Sequence, residues 1–191
     1  MSKSTTLKKT DNSTHIQFGT GSLDGFFVYD DVRIGLKDEN STDSPHSIHI
    51  KNYKFGVVDK QSGIFDKFDI DAIVGMGYQA LAADNVTPIL DSIDNQGLLL
   101  NSVFSYYYTF NREEASIGQK SYLTLGYYDK TLFKGNIRWF PITLKVMYGV
   151  QMDDMLFNGK SLGLCKNKTC TVAFDSGSTY MSVPGYAANM I

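Results

Sequence analysis

Val172-Ala173-Phe174-Asp175-Ser176-Gly177-Ser178-Thr179 carries the most specific signal in the chain. Apolar residues run into an acid, and Ser-Gly-Ser-Thr follows. A strand that delivers an Asp into a glycine turn presents the carboxylate at the strand's end. Gly177 permits a close backbone approach, and the hydroxyls and turn N–H groups can hold the carboxylate ionised. A carboxylate placed this way suits acid–base work on water.

Upstream, the pattern is one of short strands and glycine turns. Aromatic residues make up 13% of the 191-residue chain, and 17 glycines stand against 4 prolines, which favours β-structure with many turns. His15-Ile16-Gln17-Phe18-Gly19-Thr20-Gly21-Ser22 reads as a strand ending in a turn. Leu23 to Ile34 reads as its return, so a β-hairpin with Gly-Thr-Gly at the tip is expected. The Gly-x-Gly is not a phosphate loop, because neither Gly-Lys-Ser/Thr nor a helix follows it. Met1 to Thr14 is polar and reads as an arm or a gene-model start. Ile48 to Val58 alternates as a strand, and Lys60 to Lys67 reads as a turn-rich connection. Ile70 to Val74 is expected as a short buried strand running into Gly75 and Gly77, with Asp69 and Asp71 as capping residues beside it.

Thr87 to Gly97 is the clearest helix, with Thr87 as N-cap, Pro88 first, Ile89, Leu90 and Ile93 on one face, and Gly97 as the stop. Strands follow in 98–110, 122–126, 146–156 and 171–175. Net charge is −2 without a long basic run, which argues against a nucleic-acid partner. No apolar run has the length of a membrane span, and no signal peptide is visible at the N-terminus. His46 and His49 have a metal-like spacing without a third ligand, so they read as surface and strand residues and no metal is expected.

Cys165 and Cys170 are separated by four residues. The gap suits a small hairpin-end disulfide, and two free thiols are the other reading. A loop so short would contribute roughly 2 kcal/mol in the chain-entropy view. Four N-x-S/T sequons begin at Asn12, Asn40, Asn85 and Asn167.

Together these segments resemble the pepsin-like aspartic proteases. Ile16 to Ser22 is similar to the family's flap, the hairpin that closes over substrate. Asp71-Ala72-Ile73-Val74-Gly75 is similar to its hydrophobic-hydrophobic-Gly strand, and Thr87 to Leu98 to the helix that follows. Gly135 to Ile142 is similar to the crossover between lobes. Ala173 to Thr179 is similar to the second catalytic loop, and Cys165 and Cys170 match the small disulfide before it. The matches are collinear from Ile16 to about Gly185.

The resemblance implies a mainly β, bilobal pepsin-like fold, here incomplete. Its expected parts are residues 1–14 as the arm, 15–140 as a partial N-terminal lobe and 141–191 as a partial C-terminal lobe. It implies an aspartic-type endopeptidase acting on polypeptides, without cofactor, favouring large apolar side chains at the cleavage site. Asp175 would be catalytic, Ser176 would brace the loop, and Gly177 and Ser178 would bond substrate backbone. Phe18, Gly19 and Thr20 would cover the peptide, and Ile70 and Ile73 would line an apolar pocket. The intact family member is expected to be a monomer in the secretory pathway, a lysosome or vacuole, or the extracellular space.

Three departures stand out. No first catalytic loop precedes His15, the second lobe stops early, and Phe18 replaces the flap's usual Tyr. An inactive truncated relative, acting as a peptide-binding or structural remnant, is therefore the alternative. In that reading a lone Asp175 titrates like an ordinary exposed carboxylate.

Overall fold

The structure is a computed structural model that describes residues 4–18, 21–35, 47–67, 70–109, 120–166 and 169–188. The chain divides into two compact units: Met1–Met76 with Val86–Asn136, and Gly77–Asn85 with Ile137–Ile191.

The first unit is built on an antiparallel meander of β1 (Lys8–Phe18), β2 (Gly21–Gly35) and β3 (Ser47–Gly63), in that spatial order. The expected hairpin is present, with Phe18 opposite Gly21. The polar arm is not: β1 begins at Lys8, inside the expected 1–14 segment. Asp11 and Asn12 have little strand preference of their own, and they are carried in β1 as a bulge between two paired stretches, with Lys9 opposite Val28 and Ser13 opposite Phe26. β3 likewise runs on through Lys60 to Gly63, paired to Asp24–Gly21. A single 3₁₀ turn (Ile64–Lys67) is what remains of the expected connection.

The core of this unit lies where α1 (Ile89–Asn95) crosses β3. Ile50 and Ile93 are fully buried, Ile89 is nearly so, and Ile34, Ile48, Leu98, Leu99 and Leu125 pack around them. Pro88, not Thr87, is the N-cap residue, and no side chain caps the helix start. The end is as expected from Gly97. With φ +64° it lets its own N–H reach Asp94 O and the Leu98 N–H reach Ile93 O, which satisfies two terminal carbonyls. Gln96 then ties helix to sheet, because its amide both accepts from the Lys51 N–H and donates to the Lys51 carbonyl, each at 3.0 Å. β4 (Phe104–Tyr107) and β5 (Tyr122–Leu125) form a separate antiparallel pair.

Ile70 to Val74 is corrected by the structure. These residues form no strand, and Ile70, Ile73 and Val74 are about half exposed. An apolar run becomes a buried strand only when another strand supplies its hydrogen bonds, and no described strand pairs with this one.

The β2–β3 ladder shifts between Asp24 and Gly25, where Asp59 of β3 is the extra residue of a bulge. A Cβ at residue 25 would lie 1.9 Å from the Val57 carbonyl oxygen. Gly25→Ala is therefore expected to destabilise this unit by about 3 kcal/mol, read as a lower urea midpoint at unchanged slope.

The second unit contains a three-stranded antiparallel sheet in the order β10 (Cys170–Phe174), β7 (Tyr148–Met152), β6 (Ile142–Lys145). Gly149 is buried at its centre, where a Cβ would lie 2.8 Å from Leu144 Cβ and 3.1 Å from Thr171 Cγ2. β8 (Leu156–Phe157) and β9 (Lys160–Ser161) are joined by Asn158-Gly159, both at positive φ, the chemistry of a tight hairpin turn. Asp154 holds the loop that follows, accepting from Ser161 Oγ and from the N–H groups of Gly163 and Leu164. These bonds keep its carboxyl below the usual range, the Ser161 hydroxyl first. Cys165 and Cys170 form a disulfide with Cα atoms 5.5 Å apart.

Candidate active site

β10 is what delivers Asp175. Its pairs with β7 run Cys170–Met152, Thr171–Gln151, Val172–Val150, Ala173–Gly149 and Phe174–Tyr148, so the strand stays in register to the last residue before the acid. Five ladder pairs anchored upstream by a disulfide fix where the carboxylate emerges. The chain then turns, and the Ser178 N–H bonds the Asp175 carbonyl at 3.3 Å.

Within this turn the two carboxylate oxygens have separate partners. Oδ1 accepts from the Gly177 N–H at 2.9 Å, and Oδ2 accepts from Ser178 Oγ at 2.6 Å. The Ser178 hydroxyl, then the Gly177 N–H, hold the Asp175 carboxyl below the ordinary aspartate range, and these outweigh the small opposing effect of burial. The remnant reading's ordinary titration is thereby corrected, since the turn itself lowers the pKa. Among the described residues no second carboxylate contributes to the shift.

Glycine at 177 has a local reason. A Cβ there would lie 3.3 Å from Asp175 Oδ1 and would crowd the oxygen that the 177 N–H must reach. Ser178, assigned to substrate by resemblance, spends its hydroxyl on Asp175 here. Ser176 is exposed. The signal for Ser178 was present in the sequence, because an Asp followed at the second and third positions by Gly and Ser is the pattern of a side chain capping its own turn.

Ser178→Ala is expected to raise the Asp175 pKa toward the ordinary value, followed by NMR titration of the carboxyl carbon. The sign follows from linkage. A depressed folded pKa contributes stability above the unfolded pKa, and this is lost as pH falls through the folded pKa. The variant should therefore be less stable than the parent above the unfolded pKa, neutrality included, and the difference should vanish as pH falls through the folded pKa.

The flap residues belong to the first unit. Phe18 packs edge-to-face on Phe65, with ring centroids 5.0 Å apart and planes at 67°. Phe65 is buried. The Gln17 amide donates to the carbonyls of Phe18 (2.7 Å) and Gly21 (3.0 Å), bridging both strands beside the turn. A Cβ at residue 21 would lie 2.5 Å from the Ser62 carbonyl oxygen and 2.9 Å from the Phe65 ring, so Gly21 is required there. Gly19 and Thr20 lie outside the described residues. The sequence reading missed Phe65 and Gln17, because neither contact follows from local pattern. Ile70 and Ile73 are exposed, at 53% and 51%.

His49 bonds Asp31 at 3.1 Å and lies half-buried on β3, while His46 and Asp69 lie outside the described residues. Among the described residues no three His, Cys, Asp or Glu side chains converge as a metal site.

The family model described as eukaryotic aspartyl protease matches residues 1–191. The chain is 33% identical over 180 residues to cyprosin of Cynara cardunculus, covering 94% of this chain and 35% of cyprosin. It is 30% identical over 184 residues to gastricsin of Oryctolagus cuniculus, with 96% and 43% covered. It is 29% identical over 183 residues to pepsin A of Rhinolophus ferrumequinum, with 95% and 43% covered. The chain thus spans less than half the length of these relatives.

Proposed function

Because the chain belongs to the eukaryotic aspartyl protease family, we propose that it carries part of an aspartic-type endopeptidase and supplies Asp175 as one of two catalytic carboxylates. The observation that carries this reading is the Asp175 turn. An ionised carboxylate stands at the end of a fixed strand, held by the Gly177 N–H and Ser178 Oγ.

The chemistry follows from that state. An ionised carboxylate accepts a proton from water as the water oxygen attacks a peptide carbonyl. A second carboxylate, protonated, donates a hydrogen bond to the carbonyl oxygen as negative charge develops on it. Two adjacent carboxyls share one proton because a second negative charge nearby is costly, and the aspartic protease dyad is the standing example of that effect. Asp175 suits the ionised member, since its own turn lowers its pKa. No other Asp-Ser-Gly or Asp-Thr-Gly occurs in the 191 residues, so the dyad needs a carboxylate of different sequence setting or from outside them.

In this reading polypeptides are the substrates. Phe18, Gly19 and Thr20 cover the bound peptide, and Ile70 and Ile73 favour large apolar side chains. Residues 15–140 and 141–191 belong to two lobes, and the intact protein works as a monomer in the secretory pathway, a lysosome or vacuole, or outside the cell. The disulfide supports an oxidising compartment. Among the described residues no helix is long and apolar enough to cross a membrane.

A second reading is the inactive remnant, a peptide-binding or structural relative without a second catalytic carboxylate. The deciding experiment compares the 191-residue chain with the full gene product on an unfolded protein substrate at acidic pH. A peptide bearing a tetrahedral hydroxyl in place of the scissile carbonyl serves as transition-state mimic. Cleavage by the full product, blocked by the mimic, supports the endopeptidase. Cleavage by neither sinks it, and cleavage by the chain alone sinks the remnant reading.

A further inference from the structure

We propose that Asn12 is an N-glycosylation site whose oligosaccharide shields the open edge of the first sheet. Asn12-Ser13-Thr14 is one of four sequons in the chain. Asn40 and Asn167 lie outside the described residues, so Asn12 and Asn85 are the two that can be compared. Asn85 is engaged: its backbone is left-handed at φ +54°, and Gln79 Nε2 donates to both its main-chain and side-chain oxygens at 3.1 Å.

Asn12 stands differently. The β1–β2 ladder breaks between Lys9 and Ser13, so Thr10, Asp11 and Asn12 oppose the single residue Phe27. Thr10 turns its hydroxyl inward to the Phe27 carbonyl at 2.7 Å, and Asp11, Asn12 and Ser13 are exposed. Thr14 lies two residues on in the same strand. A glycan on Asn12 projects from a bulge and disturbs no pair of the ladder.

The location also gives the glycan a task. Among the described residues β1 is an outer strand of its sheet. An outer strand of 11 residues leaves main-chain donors and acceptors open to a strand of another molecule. β3, the other outer strand, is partly closed by the Gln96 amide on Lys51. On β1 the Gln17 amide occupies the Phe18 carbonyl at the strand's end, and a bulky hydrated group at the middle of the strand blocks pairing there.

The transfer is a substitution at the sugar's anomeric carbon. The Asn12 side-chain nitrogen bonds to the anomeric carbon of a polyprenyl-diphosphate oligosaccharide, and the anomeric carbon–oxygen bond breaks. The polyprenyl diphosphate leaves with the electron pair, and a base of the transferase takes the proton lost from nitrogen. The Cys165–Cys170 disulfide is consistent with the lumen in which this chemistry takes place.

The test is the whole 191-residue chain behind a secretion leader, translated with microsomes and also isolated from eukaryotic cells. Peptide N-glycosidase in heavy-oxygen water converts a glycosylated Asn to labelled Asp, read by peptide mass spectrometry. The expected result is label on most copies of the peptide containing Asn12, and its loss in Asn12→Gln and in Thr14→Val. An unlabelled Asn12 peptide from both sources overturns the site. Asn12→Gln, secreted and purified beside the parent chain, is expected to raise self-association severalfold by light scattering. Unchanged association, with Asn12 labelled, overturns the shielding role.

Discussion

Asp175→Asn is expected to lower kcat by about 10²–10⁴-fold, with KM and folding little changed, in whichever preparation cleaves a protein substrate at acidic pH. The substitution is close to isosteric. An Asn oxygen can still accept from the Gly177 N–H or from Ser178 Oγ, so the turn at the end of β10 should persist. What disappears is the negative charge that accepts a proton from water. A matched thermal midpoint together with lost turnover assigns the effect to chemistry. A variant that retains turnover would remove Asp175 from the mechanism. Ser178→Ala should act in the same direction but weakly, because the Gly177 N–H still holds one oxygen.

Ile93→Ala is expected to cost about 2–5 kcal/mol, measured by urea unfolding. Ile93 is fully buried and joins α1 to Ile50 of β3, also fully buried. Truncation removes three heavy atoms and leaves a cavity that the sheet on one side and the helix on the other can close only in part. A domain has only about 5–15 kcal/mol to lose, so a large part of the first unit's stability rests on this contact. Ile73→Ala provides the control. Its side chain is about half exposed, and a change within roughly 0.5 kcal/mol is expected. Equal effects at 73 and 93 would mean that 70–74 is buried after all.

These two isoleucines show how far local pattern reaches. Ile73 sits in an apolar run that ends in Gly75, Ile93 recurs four residues after Ile89, and both read as core. Ile93 is core because the period of the helix puts it with Ile89 against β3, an arrangement encoded within one turn. Ile73 is not, because a strand is completed by a partner distant in sequence. The same dependence works in reverse at Lys8–Thr14. A largely polar stretch becomes β1 because Gly25 to Tyr29 is there to pair with Lys8, Lys9, Ser13 and Thr14. The glycine stop at Gly97 was legible, since it depends on residues within five positions.

By itself the sequence determined the order of the flap-like hairpin, the helix and the Asp175 loop, and hence the family. Each of these is a local signature of glycine, proline and alternating apolar residues, and local sterics fix it. It also marked Asp175 as the acid to watch. Only the tertiary structure decided which hydroxyl holds that acid, that Phe18 rests on Phe65, where β1 begins, and that 70–74 stays unpaired. Those outcomes depend on contacts closed across long stretches of chain or on the geometry of one turn. Residue preferences at a single position carry little of that information.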